Sequence, residues 1–305
     1  MLCHCDDSDY IDGILAQQEL YLSYEESDEK LTWCSGCGNY GIQKALVRAL
    51  ALEELDRQQV LLCYDIGCSG NESDKLGAYT IHGLHGRVLP LAAGASLADH
   101  KKQIVAIAGD GATFSEGVNH LVHTLRNDYD VLFILHNNEN YGLTTGQASA
   151  MTRTGQRMNG SPDGVFAAPM NACHFALSLG PTFVARGFSG DVKHMTELLR
   201  QGLRHNGFAF VELMQVCPTY NKATSQRWFW DRIRFVEGIS GYDPTDIKQA
   251  TEISADLESS IAMGVLYRNE FGNFYERLPQ RQEVETTLVE EVHPFDVTEL
   301  MAEFR

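Results

Sequence analysis

Four cysteines, an aspartate between two glycines and a pair of asparagines are the residues of this 305-residue chain whose types and spacing bear most directly on chemistry. Cys34 and Cys37 stand three apart in "LTWCSGCGNYGI" (31–42), a bend in which two thiols can share a metal, form a redox disulfide or simply occupy a loop. Cys68 follows one apolar run in "DIGCSGN" and Cys217 follows another in "VCPTYN". If both runs are strands of one sheet, three distant segments bring four thiolates to a single edge. That donor set suits zinc or an iron–sulfur cluster, and spacing alone does not separate the two.

Asp110 lies in "GDG" (109–111), where the flanking glycines let backbone amides approach a phosphate. Asn137 and Asn138 come after 25 intervening residues, the length that one helix between two strands requires. A carboxylate, an amide oxygen and a backbone carbonyl are the oxygen donors suited to Mg²⁺ carrying a diphosphate. Aspartate between glycines is by itself an ordinary turn. The asparagines and the "NYGLTTGQ" behind them shift the reading toward a site, and a neighbouring diphosphate favours a redox cluster over zinc. "IHGLHGR" adds His82, His85 and Arg87, a cationic loop able to face a diphosphate. Cys63 inside an apolar run and Cys173 in "NACHFALSL" read as small buried hydrophobes. Cys3 and Cys5, flanking His4, fall in a terminal segment expected to carry no site.

Elements of alternating type must position these residues. Ile42, Ala45, Leu46, Ala49 and Leu50 follow helical spacing, and 60–67 reads as a buried strand. Residues 82–99 give a glycine-rich turn and a small-residue helix. A strand over 103–111, a helix through Val118, Leu121, Val122 and Leu125 with Ser115 as its N-cap, and a strand over 130–138 make a βαβ unit. Strand, helix and strand recur over 182–187, 191–205 and 208–218. The expected fold is therefore α/β, a doubly wound and mostly parallel sheet over 31–225, with an N-terminal extension over 1–30 and a small C-terminal arm over 226–305.

The formal charge of −17 excludes general nucleic-acid binding, since a phosphate backbone would be repelled. No apolar run approaches the ~18 residues of a membrane span, and the start "MLCHCDDSDYIDG" has neither a basic nor an apolar leader, so a cytoplasmic location is expected. In such a compartment reduced thiols and metal ligation are favoured over disulfides.

"GDG" followed by "NN", together with "WCSGCGNYGI", "DIGCSGN", "HGLHGR", "NNENYGLTTGQ" and "VCPTYNK", resembles the β subunit of two-subunit 2-oxoacid:ferredoxin oxidoreductases, over about residues 31–245. The resemblance implies one [4Fe-4S] cluster on Cys34, Cys37, Cys68 and Cys217, and Mg²⁺ on Asp110, Asn138 and the backbone carbonyl of Asn140. It implies thiamine diphosphate against Ile66, Gly67, Cys68, Ser69, His85, Gly86, Arg87, Gly111, Ala112, Gly142 and Leu143. It further implies oxidative decarboxylation of a 2-oxoacid with coenzyme A, electron delivery to ferredoxin or flavodoxin, and an α subunit supplying the ylid-promoting glutamate, so that this chain alone is inactive. Ser35 stands where proline is common in that family, Asn137 where aspartate is frequent, and Thr145 where lysine or glycine is usual. A non-oxidative thiamine-dependent decarboxylase with structural cysteines and a zinc-stapled nucleotide-binding module are the competing readings.

Overall fold

Short apolar runs bounded by polar turns become strands when both of their faces can be covered, and the order of runs along this chain makes that possible. The computed structural model describes residues 7–25, 29–293 and 296–303; Cys3, His4 and Cys5 lie outside them. The strands are β1 (Val60–Tyr64), β2 (Tyr79–His82), β3 (Gln103–Gly109), β4 (Val131–Asn137), β5 (Asn140–Tyr141), β6 (Gln147–Ala148), β7 (Phe183–Phe188), β8 (Phe208–Met214), β9 (Ile233–Phe235) and β10 (Ile261–Arg268). The α-helices are α1 (Asp7–Glu25), α2 (Asn39–Leu52), α3 (Val88–Ala98), α4 (Val118–Asn127), α5 (Ala172–Leu177), α6 (Val192–Arg204), α7 (Gln226–Trp230), α8 (Ile247–Ser254) and α9 (Thr298–Ala302).

Eight strands form one sheet in the order β2-β1-β3-β4-β8-β7-β10-β9. Every pairing from β2 to β7 is parallel, and β10 runs antiparallel to β7. Side chains alternate across each strand, so β3 divides its residues between two layers. Ile104, Ala106 and Ala108 pack with Leu89 and Ala92 of α3, Leu121 and Leu125 of α4 and Ala176 of α5. Val105 and Ile107 pack with Ile42 and Leu46 of α2 and Met195 and Leu198 of α6. Each buried leucine or isoleucine contributes about 1.5–3 kcal/mol, and both faces of the sheet are held this way. The expected doubly wound α/β architecture is the observed one. Among the described residues no helix is long and apolar enough to cross a membrane.

Three local expectations differ from the structure. The described part of the 1–30 extension is a helix docked on α2, with Tyr24 fully buried and its hydroxyl donating to the Leu55 carbonyl at 2.9 Å. Ser115 is not the N-cap of α4; it lies in a π-helical turn over Gly111–Glu116, and its Oγ accepts from the Ala150 N–H at 3.0 Å. Such single-turn insertions gather at functional sites, and this one carries the chain around a cleft. The region from 226 onward supplies β9 and β10, with Phe229, Ile261 and Met263 packing against Phe188 and Met214.

Candidate functional site

The chain winds outward from β1 in both directions, to β2 on one side and β3 on the other, so a crevice opens where the carboxyl ends of β1 and β3 separate. Residues leaving β1 (Ile66–Ser69), β3 (Gly109–Ala112) and β4 (His136, Asn138, Asn140 and Tyr141–Thr144) line that crevice, with His85 and Gln215. A roomier cleft of about 600 Å³ between Phe183, Arg204, His205 and Arg268 lies at the opposite edge, where β7 begins. It holds none of the sequence-derived residues.

Asp110 is buried, and burial pushes its carboxyl up to about 7, with the Glu139 charge adding to the rise. The Ser149 hydroxyl donates to it, and both this bond and the Asn138 main chain pull the other way. Asn138 accepts the Asn140 N–H on its Oδ1 at 3.1 Å, while Asn140 Nδ2 donates to the Asn138 carbonyl at 2.8 Å. Asp110 and Asn138 thus face one another across adjacent strand ends. Between Asn138 and Asn140 the chain passes through Glu139, in the left-handed region (φ 60°), buried and paired with Arg153 at 3.2 Å. The Arg153 guanidinium lies 4.3 Å from the Trp228 ring centroid.

Space excludes a side chain at Gly111 and leaves little room for one at Gly142. A Cβ on Gly111 would lie 2.5 Å from the Tyr141 ring, and one on Gly142 would lie 3.2 Å from Cys68 Sγ and 3.6 Å from Asn140 Oδ1. Removing both side chains leaves a cradle at that wall of the cleft.

The Cys34–Cys37 bend closes on a Cys37 N–H to Cys34 carbonyl bond of 3.0 Å, with Gly36 at φ 78°. It is tied to the segment after β8 by the Gly38 N–H to Val216 carbonyl bond and by Gln215, whose Nε2 lies 3.5 Å from Cys37 Sγ. Burial raises the Cys37 thiol, with Cys217 and Cys34 adding to the rise. Burial pushes Cys68 up to about 12, with Cys37, Cys217 and Cys34 adding to it. Cys68 therefore feels all three of the other thiols, and Cys37 feels Cys217 and Cys34. Among the described residues no three His, Cys, Asp or Glu side chains converge as a ready single-ion site. Cys63 and Cys173 are fully buried, as expected, and Cys173 also donates to Glu212 at 3.1 Å.

Of the expected cofactor-lining residues, Ile66, Gly67, Cys68, Ser69, His85, Gly111, Ala112, Gly142 and Leu143 face the cleft. Gly86 and Arg87 stand behind it. The Gly86 N–H donates to Asp65, and the Arg87 guanidinium spends itself on the carbonyls of Gly86 and Glu116. His82 is likewise displaced, its Nδ1 lying 3.2 Å from the Ser73 hydroxyl.

Several residues were not foreseen. Asp65, fully buried, accepts from His85 Nδ1 at 2.9 Å and from the N–H groups of Ile66, Gly86 and Val88, and so fixes the His85 ring at the cleft wall. His136 lines the floor, with burial pushing it down to about 3, and its Nδ1 lies 3.0 Å from Asn39 Oδ1. Asn39 Oδ1 also accepts from Gln215 Nε2 at 2.6 Å, joining the floor to the cysteine bend. His136 could have been found from strand alternation, which puts it on the same face as Asn138. Asn39 and Gln215 had no local signal.

Comparison with known proteins bears on the whole arrangement. Residues 65–213 match the family described as thiamine pyrophosphate enzyme, C-terminal TPP binding domain, and residues 217–283 match the family of the C-terminal region of the pyruvate ferredoxin oxidoreductase beta subunit. The chain is 35% identical over 257 residues to the 2-oxoacid:ferredoxin oxidoreductase subunit beta of Saccharolobus solfataricus, covering 80% of this chain and 84% of that one. It is 37% identical over 195 residues to the 2-oxoglutarate oxidoreductase subunit KorB of Mycobacterium tuberculosis, covering 64% and 52%. In three dimensions it resembles a chain of the 2-oxoglutarate:ferredoxin oxidoreductase of Magnetococcus marinus, solved with 2-oxoglutarate, coenzyme A and succinyl-CoA bound. That match has a TM-score of 0.83 at 30% identity and covers 93% of this chain and 96% of that one.

Proposed function

The chain belongs to the β subunits of the 2-oxoacid:ferredoxin oxidoreductases, and we propose that with an α partner it oxidatively decarboxylates a 2-oxoacid, the acyl group going to coenzyme A and the electrons through one [4Fe-4S] cluster to ferredoxin or flavodoxin. One contact carries this reading. Cys217 Sγ lies 3.9 Å from Asn140 Oδ1, and Cys68 Sγ stands where a Cβ on Gly142 would meet it at 3.2 Å, so these thiols and the Asn138–Asn140 loop share a wall. The 2-oxoglutarate, coenzyme A and succinyl-CoA of the Magnetococcus protein support the reaction class.

The residues fit the groups. The Asp110 carboxylate, Asn138 Oδ1 and the Asn140 carbonyl are hard oxygen donors for Mg²⁺, and a divalent ion would favour ionised Asp110 against the burial that raises it. Ile66–Ser69, His85, Gly111, Ala112, Gly142 and Leu143 would enclose thiamine diphosphate, with Gly86 and Arg87 bracing the wall behind. Cys34, Cys37, Cys68 and Cys217 would ligate iron, whose charge would favour the thiolate at Cys37 and Cys68 against the burial that raises them. When bound, thiamine diphosphate supplies the nucleophilic carbon and electron sink for decarboxylation, and a cluster in the same wall accepts electrons singly. The chain's own contribution is to fix the two groups together and to hold His85 in one orientation through Asp65.

Anaerobic co-purification with the partner, followed by a panel of 2-oxoacids with coenzyme A and a viologen acceptor, tests this. The expected protein is brown, contains iron and thiamine diphosphate, and reduces the viologen only when coenzyme A and a 2-oxoacid are both present. Asp110→Ala is expected to lose Mg²⁺-dependent cofactor retention and keep its iron. Cys217→Ser is expected to lose iron although it lies 180 residues beyond Cys37. A colourless preparation that holds thiamine diphosphate and releases CO₂ without an acceptor would overturn the oxidative reading.

A further inference from the structure

Asn221, outside the residues that line the cleft, is 1% exposed and has every hydrogen-bonding group of its side chain engaged. Its N–H donates to the Cys217 carbonyl at 3.0 Å, closing the turn that carries Cys217. Its Nδ2 donates across to the Asn138 carbonyl at 3.0 Å and to Glu139 Oε2 at 3.2 Å. Its Oδ1 accepts from Gln156 Nε2 at 3.0 Å and from the Ala223 N–H at 3.3 Å. One amide therefore joins the turn bearing a cysteine of the thiol set to the loop bearing Asn138 and Asn140. The Glu139 carboxylate that it touches is itself anchored by Arg153, which stacks on Trp228.

We propose that Asn221 is a positioning residue that fastens the Cys217 turn to the Asn138–Asn140 loop and so fixes the separation between the thiol-bound redox group and the metal-bound diphosphate. The inference rests on the function proposed above and adds to it a residue that ligates neither group. The direction of each bond makes the amide specific. The Asn138 carbonyl and the Glu139 carboxylate are both acceptors, so only a donor can bridge them, while Gln156 and Ala223 both donate and require an acceptor at the other end of the same side chain. An aspartate of equal size would set an acceptor against a carbonyl and a carboxylate in a buried site, at the cost of an unpaired and repelled charge. Residues that orient a metal's ligands are typically worth about 10- to 100-fold in metal affinity.

The test compares wild type, Asn221→Asp and Asn221→Ala, each as the anaerobic complex with the partner subunit. Four quantities are measured: iron content, Mg²⁺-dependent thiamine diphosphate affinity by equilibrium dialysis, the electron paramagnetic resonance spectrum of the dithionite-reduced protein with and without thiamine diphosphate, and thermal stability. Both variants should keep wild-type iron, since no sulfur is touched. Cofactor affinity should fall about 10- to 100-fold, further in Asn221→Asp than in Asn221→Ala, and the spectral response to added cofactor should be lost. Wild-type affinity together with a wild-type spectral response in Asn221→Asp overturns the proposal. So does loss of iron, affinity and thermal stability in parallel in both variants, which marks a merely structural residue. Gln156→Ala, which removes only one donor to Oδ1, should show a smaller affinity loss at unchanged thermal stability, and no affinity loss there counts against the network. A wild-type complex that holds neither iron nor thiamine diphosphate refutes the functional reading itself, which separates the two failures.

Discussion

Glu72 shows how strongly a single buried group can set the pH response of this molecule. It is 1% exposed in the turn beyond Cys68, its Oε1 has no hydrogen-bond partner, and burial pushes its carboxyl up to about 8. The fully buried Tyr64 hydroxyl beside it also lacks a partner, and the Glu72 charge would add to the burial that raises that phenol. An unfolded glutamate releases its proton near 4.5, so between about pH 4.5 and 8 the native state holds a proton that the unfolded state has lost. Stability from this group is complete below 4.5, falls as pH rises through that window, and levels off above 8. At 1.36 kcal/mol per pH unit the upper bound is about 5 kcal/mol. Glu72→Gln is therefore expected to raise the melting temperature at pH 8 and to leave it nearly unchanged at pH 4.5. Calorimetry at the two pH values checks this, and an equal shift at both would rule it out. None of this was legible in "CSGNESDK", because burial of Glu72 is decided by the elements that pack over it and leaves no trace in local spacing. The Cys68 just before it was legible, since it ends an apolar run.

At the scale of elements, β7 and β8 hold the most demanding pair in the sheet. Arg186 and Glu212 are register partners, both fully buried, joined at 2.7 Å. The arginine holds the Glu212 carboxyl below its ordinary range against the burial that would raise it, and Glu212 Oε1 in turn accepts from Asn137 Nδ2 at 2.7 Å. The ion pair thus braces Asn137, the residue next to Asn138. Removing one member of a buried pair costs about 3–5 kcal/mol, whereas replacing both by apolar residues of similar volume is often neutral. Arg186→Met should lower stability by about that amount, and Arg186→Met with Glu212→Met should recover most of it. Mg²⁺-dependent cofactor affinity should stay low in the double variant, because Asn137 Nδ2 has lost its acceptor. Denaturant melts and cofactor binding measured on the same samples separate the two effects; recovery of both together would show that Asn137 needs no brace. The strands themselves were legible, since "TFVARG" and "FAFVELM" are apolar runs. The pairing of a charge in each was not, as it depends on which strands become neighbours. β10 was missed for a related reason: "IAMGVLYR" is apolar enough for a strand, but it follows charged, irregular sequence and pairs with a strand some eighty residues earlier.

The whole molecule gathers its chemistry on one edge and leaves that edge open. Ile66 and Leu143 line the cleft and are 36% and 47% exposed, a degree of wetting at odds with chemistry that requires water to be excluded around a reacting 2-oxoacid. The two acidic groups nearest the cleft are committed elsewhere. Asp110 is bonded to Ser149 and faces Asn138, and Asp65 is saturated by His85 and three backbone N–H groups. Glu116, at the rim, is engaged by the Tyr141 hydroxyl at 3.1 Å and lies 3.5 Å from His85 Nε2. Among the described residues Asp110, Asp65 and Glu116 are thus each engaged by a neighbour, and we propose that the ylid-promoting acid comes from an α partner. The consequence is quantitative. The isolated chain, reconstituted anaerobically with iron, Mg²⁺ and thiamine diphosphate, is expected to give no coenzyme A-dependent viologen reduction with any 2-oxoacid. Titrating in the α subunit should restore turnover in proportion to complex formed, with a break at one partner per chain. Substitution of one partner glutamate to glutamine should abolish turnover in the reconstituted complex while leaving assembly and iron content unchanged. Turnover by the chain alone at more than about a hundredth of the complex rate, a loss of less than about 3 kcal/mol in transition-state stabilisation, would place the missing acid within this chain and refute the division of labour.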